Sequence, residues 1–192
     1  HRHAMAYSRL LEVLGYNDEF ENLIEIPVFR HKLALIDEHF TSAKTFVEQL
    51  LFFVIVIENS SLFSQFANIL SFTHFRGYMK NTSNIIAWTS IDEQTHADAG
   101  VYLLQHIFEE FPEMRPSQET VEKEVREYLS YETELLDWIY EEGELPFFTK
   151  ANLLDFMRAR VDNALTQLGY DKLYNVSAEA YKPMLWFDEN VF

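Results

Sequence analysis

The sequence predicts an all-α fold, a helical bundle, on three observations. Its 192 residues hold only five glycines and five prolines, sparse punctuation for a sheet-rich chain. Hydrophobic residues make up 48% and aromatic residues 16%, enough for one sizeable core and therefore one domain over residues 1–192. Residues 47–66 are apolar on nearly every face, the pattern of a helix at the centre of a bundle.

The elements follow in order. A first helix is under way at His3 and runs to about Leu14, with Gly15 as its stop. A second covers roughly residues 27–39, opened by Pro27. The third is expected from a Thr41-Ser42 cap to about Phe72, closed off by Gly77. A fourth opens near the Asn81-Thr82-Ser83 cluster and extends to about Phe111, before Pro112. Residues 117–142 read as a charged amphipathic helix, and residues 150–168 as another, ended by Gly169. The last stretch, 178–192, is expected to form a short helix and an extended end. No repeat, low-complexity stretch or interdomain linker divides the chain.

Charge and composition exclude several classes. A formal net charge of −16 leaves nothing to replace counterions along a phosphate backbone, so neither nucleic acid nor an anionic membrane is the expected partner. The absence of cysteine removes disulfides, thiolate zinc sites and thiol nucleophiles. Any metal must therefore sit on carboxylate oxygen and imidazole nitrogen, donors suited to iron or manganese as well as zinc. The longest apolar run, residues 50–57, ends at Glu58 and is too short to span a bilayer. With no signal or transit pattern visible, the cytoplasm is the expected location.

Three stretches carry chemistry. Glu93 and His96 are spaced to share one helix face, the Glu-x-x-His unit that projects into di-iron and di-manganese carboxylate bundles. Such a tetrapeptide is more often a solvated surface pair. Glu58 interrupts the apolar central stretch, where a lone carboxylate is costly unless protonated, paired or bound to a cation. A segment 58–61 turned to solvent fits the sequence equally well. Geometry favours convergence: Glu58 lies about 21 Å before the turn and Glu93 about 17 Å after it, so antiparallel neighbours bring the two to nearly one level. In the first helix His3 and Tyr7 stack on one face, although an ordinary helix histidine and a core tyrosine have the same spacing. His31, His39, His74 and His106 match no ligand pattern and read as structural or exposed.

Taken together, these stretches resemble the small, radical-generating subunit of class I ribonucleotide reductases. His3-Ala4-Met5-Ala6-Tyr7-Ser8 resembles that family's Glu-x-x-His-x-x-x-Tyr motif. Glu58 followed by Leu62, Phe63 and Phe66 looks like its central-helix motif, and Asp92-Glu93-Gln94-Thr95-His96 resembles Asp-Glu-x-x-His. Arg158-Ala159-Arg160 and Trp186-Phe187-Asp188-Glu189 are similar to its later helices. The resemblance covers essentially the whole chain, with the motifs in order.

The resemblance implies a ferritin-like bundle with additional helices and a two-metal carboxylate centre. His3, Glu58, Glu93 and His96 would be metal ligands, Tyr7 the radical-bearing tyrosine, and Asp92 the acid that orients a ligand histidine and helps relay the radical. Leu62, Phe66 and Thr89 would line the radical's pocket. The family uses four carboxylates and two histidines, so the set here is incomplete; the other carboxylates would precede His1, and the family's C-terminal tail would follow Phe192. Impaired metal binding by this chain alone is the corresponding expectation. Two iron or two manganese ions, a large catalytic subunit, a homodimeric state and, with manganese, a flavodoxin-like activator are the implied cofactors and partners. A ferritin-like di-metal oxidase acting on a small molecule, and a metal-deficient structural fragment, are the competing readings.

Overall fold

A computed structural model describes residues 2–42 and 44–191, with side chains as far as Glu189. Helix α1 (Arg2–Leu14) is followed by the short α2 (Asn17–Glu21) and by α3 (Pro27–Thr41). The central helix is one continuous run, Phe46–Arg76, composed of α4 (Phe46–Phe52), a π-helical segment (Phe53–Ser61) and α5 (Leu62–Arg76). Next come α6 (Lys80–Glu110), α7 (Gln118–Ile139) and α8 (Lys150–Gln167). Two short helices, α9 (Ala178–Tyr181) and α10 (Leu185–Val191), finish the described chain. No strand occurs among the described residues.

Local chemistry sets the helix ends. Thr45 caps α4 through a reciprocal capping box with Glu48, so the central helix starts there and not at the expected Thr41-Ser42, which closes α3 instead. Gly77, at φ 69°, takes the left-handed conformation that ends α5 and turns the chain back into α6. Thr149 and Asn152 form the same kind of box at α8. The expected extended end is helical from Leu185 to Val191, because Trp186 and Phe187 bury their rings in the core; Phe192 lies outside the described residues.

The central helix is wrapped by α6, α7 and α8, and α3 lies on α7. It is 31 residues long and its apolar 18-residue window reaches a mean hydropathy of 1.6, long and apolar enough to cross a membrane by composition. However, 72% of that apolar window is buried inside the bundle, which makes it a core helix. Two apolar clusters result. One gathers Val47, Leu51, Phe52 and Val54–Val56 with Leu104, Tyr128 and Leu165; the other gathers Phe63, Phe66 and Leu70 with Phe156, Met157 and Phe187. Between them Glu58, Asn59, Ser60 and Ser61 are all buried. The core therefore has a polar waist.

That waist closes tightly on both sides. Helix α6 approaches the π segment at Gly100, where a β-carbon would collide with Val54. On the far side Lys32 of α3 reaches Glu132 of α7 at 2.6 Å and the Ser61 hydroxyl at 3.0 Å. Ser61 in turn donates to Glu132 at 2.6 Å and accepts from Tyr128 at 3.3 Å. Glu132 is fully buried, so this pair is what neutralises its charge.

Candidate metal centre

Glu58 enters the site from the π segment. A π turn inserts one residue into the α ladder, and such bulges are frequent at functional sites. Nothing in the apolar run 53–57 announces it. The Asn59 side chain donates to the Val54 carbonyl at 2.8 Å, supporting the widened turn from within. Glu58 itself is 5% exposed, and its Oε2 has no hydrogen-bond partner.

Opposite stands α6, antiparallel across the Gly77 turn. Glu93 and His96 project from one face of it, as their spacing predicts, and His96 Nδ1 lies 2.9 Å from Glu93 Oε2. Donor atoms of Glu58, Glu93 and His96 all fall within 4.8 Å of one another. From α1, His3 brings Nδ1 to 3.2 Å from Glu93 Oε1, while its Nε2 lies 2.9 Å from Asp92 Oδ2. Tyr7, one turn further along α1, donates its hydroxyl to Thr89 Oγ1 at 3.0 Å.

Glu58, Glu93 and His96 thus come together, with His3 beside Glu93 and Asp92 and Tyr7 on Thr89, though in different environments. Glu58 is buried; the Glu93 side chain is 13% exposed, that of His96 59% and that of Asp92 63%. Tyr7 is half-buried against the cluster that holds Phe66, with Leu62 partly buried nearby, and α1 contributes no fully buried residue. Of the other histidines, His39 is buried in a stack on Phe52 and His74 stacks on Trp186; His31 and His106 are exposed. None of the four joins the cluster.

Electrostatics follow from packing. Burial, a hydrogen bond with Glu93 and the charge of Glu93 together push the Glu58 carboxyl up to about 7. His96 is raised above its usual value, chiefly by its hydrogen bond with Glu93. Burial also raises the Tyr7 phenol, which is therefore neutral at physiological pH.

The donors fit a cation. If Nε2–H of His3 donates to Asp92, the Nδ1 lone pair faces a Glu93 oxygen, acceptor against acceptor. A buried carboxylate oxygen without a partner stands across from them. A hard cation bound to oxygen and imidazole nitrogen relieves both problems at once, with Asp92 fixing the ring behind the donor atom.

One polar residue was outside the sequence-based site. Arg160 of α8 donates from Nε to the Asn59 carbonyl at 2.6 Å and from a terminal nitrogen to Gln94 Oε1 at 2.8 Å. Burial lowers its guanidinium to about 10, so it stays charged at neutral pH. Arg158-Ala159-Arg160 resembles one of the family's later helices, but contacts to residues so distant in sequence leave no local pattern.

Comparison with known proteins gives a consistent relationship. The family described as "Ribonucleotide reductase, small chain" matches residues 1–183. Over 221 residues the chain is 26% identical to the probable ribonucleoside-diphosphate reductase small subunit 376L of Invertebrate iridescent virus 6, covering 95% of this chain and 61% of that protein. Its identity to the probable small subunit 048L of Invertebrate iridescent virus 3 is 24% over 177 residues, covering 91% and 45%. The chain thus spans about half to three fifths of these relatives. Among solved structures, a Bacillus halodurans protein assigned as a class I ribonucleotide reductase matches with a TM-score of 0.84 at 22% identity, covering 97% of this chain and 69% of that one. At that identity the match speaks for the ferritin-like helical fold.

Proposed function

This chain belongs to the ribonucleotide reductase small-chain family, and on that premise we propose that it is the radical-generating part of a class I ribonucleoside-diphosphate reductase. The family implies a di-metal centre. The observation that carries the reading is the convergence of Glu58, Glu93 and His96 at the buried waist, with one Glu58 oxygen lacking any partner. Glu58, Glu93, His96 and His3 are the proposed ligands. A pair of iron or manganese ions held there would supply the one-electron oxidising power that the organic side chains lack, and the same hard donors suit either metal.

The chain's own groups then have distinct tasks. Asp92 accepts from His3 Nε2–H, which orients the ring and leaves the Nδ1 lone pair to ligate a metal. Tyr7 is the proposed radical site. As a neutral phenol it must release a proton with its electron, and Thr89 Oγ1 at 3.0 Å fixes the direction of its O–H. Leu62 and Phe66 exclude water on the core side. The stored oxidising equivalent would pass to a large catalytic subunit, which reduces the ribonucleotide, from a cytoplasmic homodimer of small subunits.

The test is electron paramagnetic resonance of the protein extended at its N-terminus, after loading with Fe(II) or Mn(II) and exposure to oxidant. The proposal predicts a tyrosyl signal that Tyr7→Phe abolishes. A signal unchanged in that variant removes Tyr7 from the role.

A further inference from the structure

The π segment that carries Glu58 poses a bookkeeping problem for the backbone. Where a helix returns from i+5 to i+4 hydrogen bonds, successive carbonyls compete for one N–H, so the C-terminal side of the segment is one donor short. Leu62 N–H is already committed to the Ile57 carbonyl, five residues back. Glu58, four residues before Leu62, is the carbonyl that then competes for that donor, and Asn59 is the next along. Arg160 Nε donates to that Asn59 carbonyl at 2.6 Å, an outside bond at the C-terminal edge of the segment.

The same guanidinium makes a second bond that the backbone does not require. Its terminal nitrogen meets Gln94 Oε1 at 2.8 Å, on the residue that follows Glu93 in α6. Its plane also lies over the Phe63 ring, 3.6 Å from the centroid, at the start of α5. A rigid planar fork thus joins the residue after one ligand carboxylate to the residue after the other. Partial burial strengthens both bonds, since less water competes with charged donors there.

We infer that Arg160 is a positioning residue which keeps the π register and sets the separation of Glu58 from Glu93. The inference rests on the metal-centre reading above, in that Glu58 and Glu93 are the groups being positioned. If the segment relaxed to an α ladder, the extra residue would shift along the helix and Glu58 would rotate off the face that meets α6. The bracket opposes this by holding the Asn59 carbonyl, next to Glu58, to a fixed guanidinium on α8. Lysine cannot substitute fully, because a single ammonium on a flexible stem lacks the planar fork that serves two acceptors in fixed directions.

The experiment compares the full chain with Arg160→Met, Arg160→Lys and Gln94→Ala. Mn(II) affinity is followed by loss of the free-ion paramagnetic signal, with Glu58→Gln as the control for site-specific binding. Amide exchange across residues 54–62 is measured in parallel with chelator present. Expected are a loss of about 10–100-fold in Mn(II) affinity for Arg160→Met, an intermediate loss for Arg160→Lys, and faster exchange at 54–62 while α7 exchanges as before. Wild-type affinity together with wild-type exchange at 54–62 in folded Arg160→Met overturns the inference. Should Arg160→Met fail to fold, Arg160→Lys and Gln94→Ala decide: unchanged affinity and exchange in both overturn it equally. A wild-type chain that binds no Mn(II) through Glu58 agrees with its incomplete ligand set, and the exchange comparison then decides for or against the bracket alone.

Discussion

Replacing Glu58 by glutamine isolates the cost of holding an ionisable carboxyl at the waist of the core. Its pKa rises from the ordinary 4.5 to about 7 on folding, first through burial and then through Glu93. A carboxyl with a raised folded pKa binds its proton more tightly when folded. The stability it contributes is fully present below about pH 4.5 and is lost as pH rises through about 7. At about 1.36 kcal/mol per pKa unit the whole interval corresponds to roughly 3 kcal/mol. Water reaching the exposed side of His96 screens part of that, leaving about 2 kcal/mol. In chelator, the wild-type chain is therefore expected to lose about 2 kcal/mol more than Glu58→Gln between about pH 5 and pH 8. Paired urea unfolding curves at a series of pH values measure the difference. A bound cation favours the ionised carboxylate, so saturating Mn(II) should reverse the order at pH 8 and make wild type the more stable. Parallel pH profiles for the two proteins in chelator would refute the reasoning, because Glu58 would then be no costlier folded than unfolded.

Other substitutions test the frame around the site. Lys32→Met strands the fully buried Glu132 without its cation, and a loss of about 3–5 kcal/mol is expected in urea melts near neutral pH. Gly100→Ala places a methyl group against Val54 where α6 meets the π segment; a cost of about 1–3 kcal/mol is expected by thermal unfolding, with weaker Mn(II) binding beside it. Asp162 accepts from the backbone N–H groups of Leu173 and Tyr174 at 2.9 Å and Val176 at 3.4 Å. Asp162→Ala should release residues 171–176 and speed their amide exchange while leaving metal affinity near wild type, a separation that a general loss of fold would not produce.

The sequence made the architecture legible where periodicity and punctuation agree. Gly15, Gly77 and Gly169 end their helices as expected, and Glu93 with His96 fall on one face because i, i+3 spacing admits little else on a helix. The level at which Glu58 meets Glu93 followed from counting rise per residue on either side of one turn. The depth of Glu58 did not follow, because Asn59, Ser60 and Ser61 beside it suit a solvated face as well as the polar waist they form. The capping box Thr45-x-x-Glu48 was readable and marks the true start of the central helix. The π segment was not: residues 53–57 are apolar all round, so the pattern carries no phase from which an inserted residue could be detected. Helix α2 is only Asn17–Glu21, too short for a periodic signal. The Lys32–Glu132 pair and the Arg160 bracket join stretches far apart in sequence, and charge at those positions reads locally as surface.

Crystals of the full chain soaked in Fe(II) or Mn(II) and measured at the corresponding absorption edges test the central claim most directly. An anomalous peak within bonding distance of Glu58, Glu93 and His96 is the expected result. A clean map at that position, with strong metal peaks only elsewhere, would contradict it.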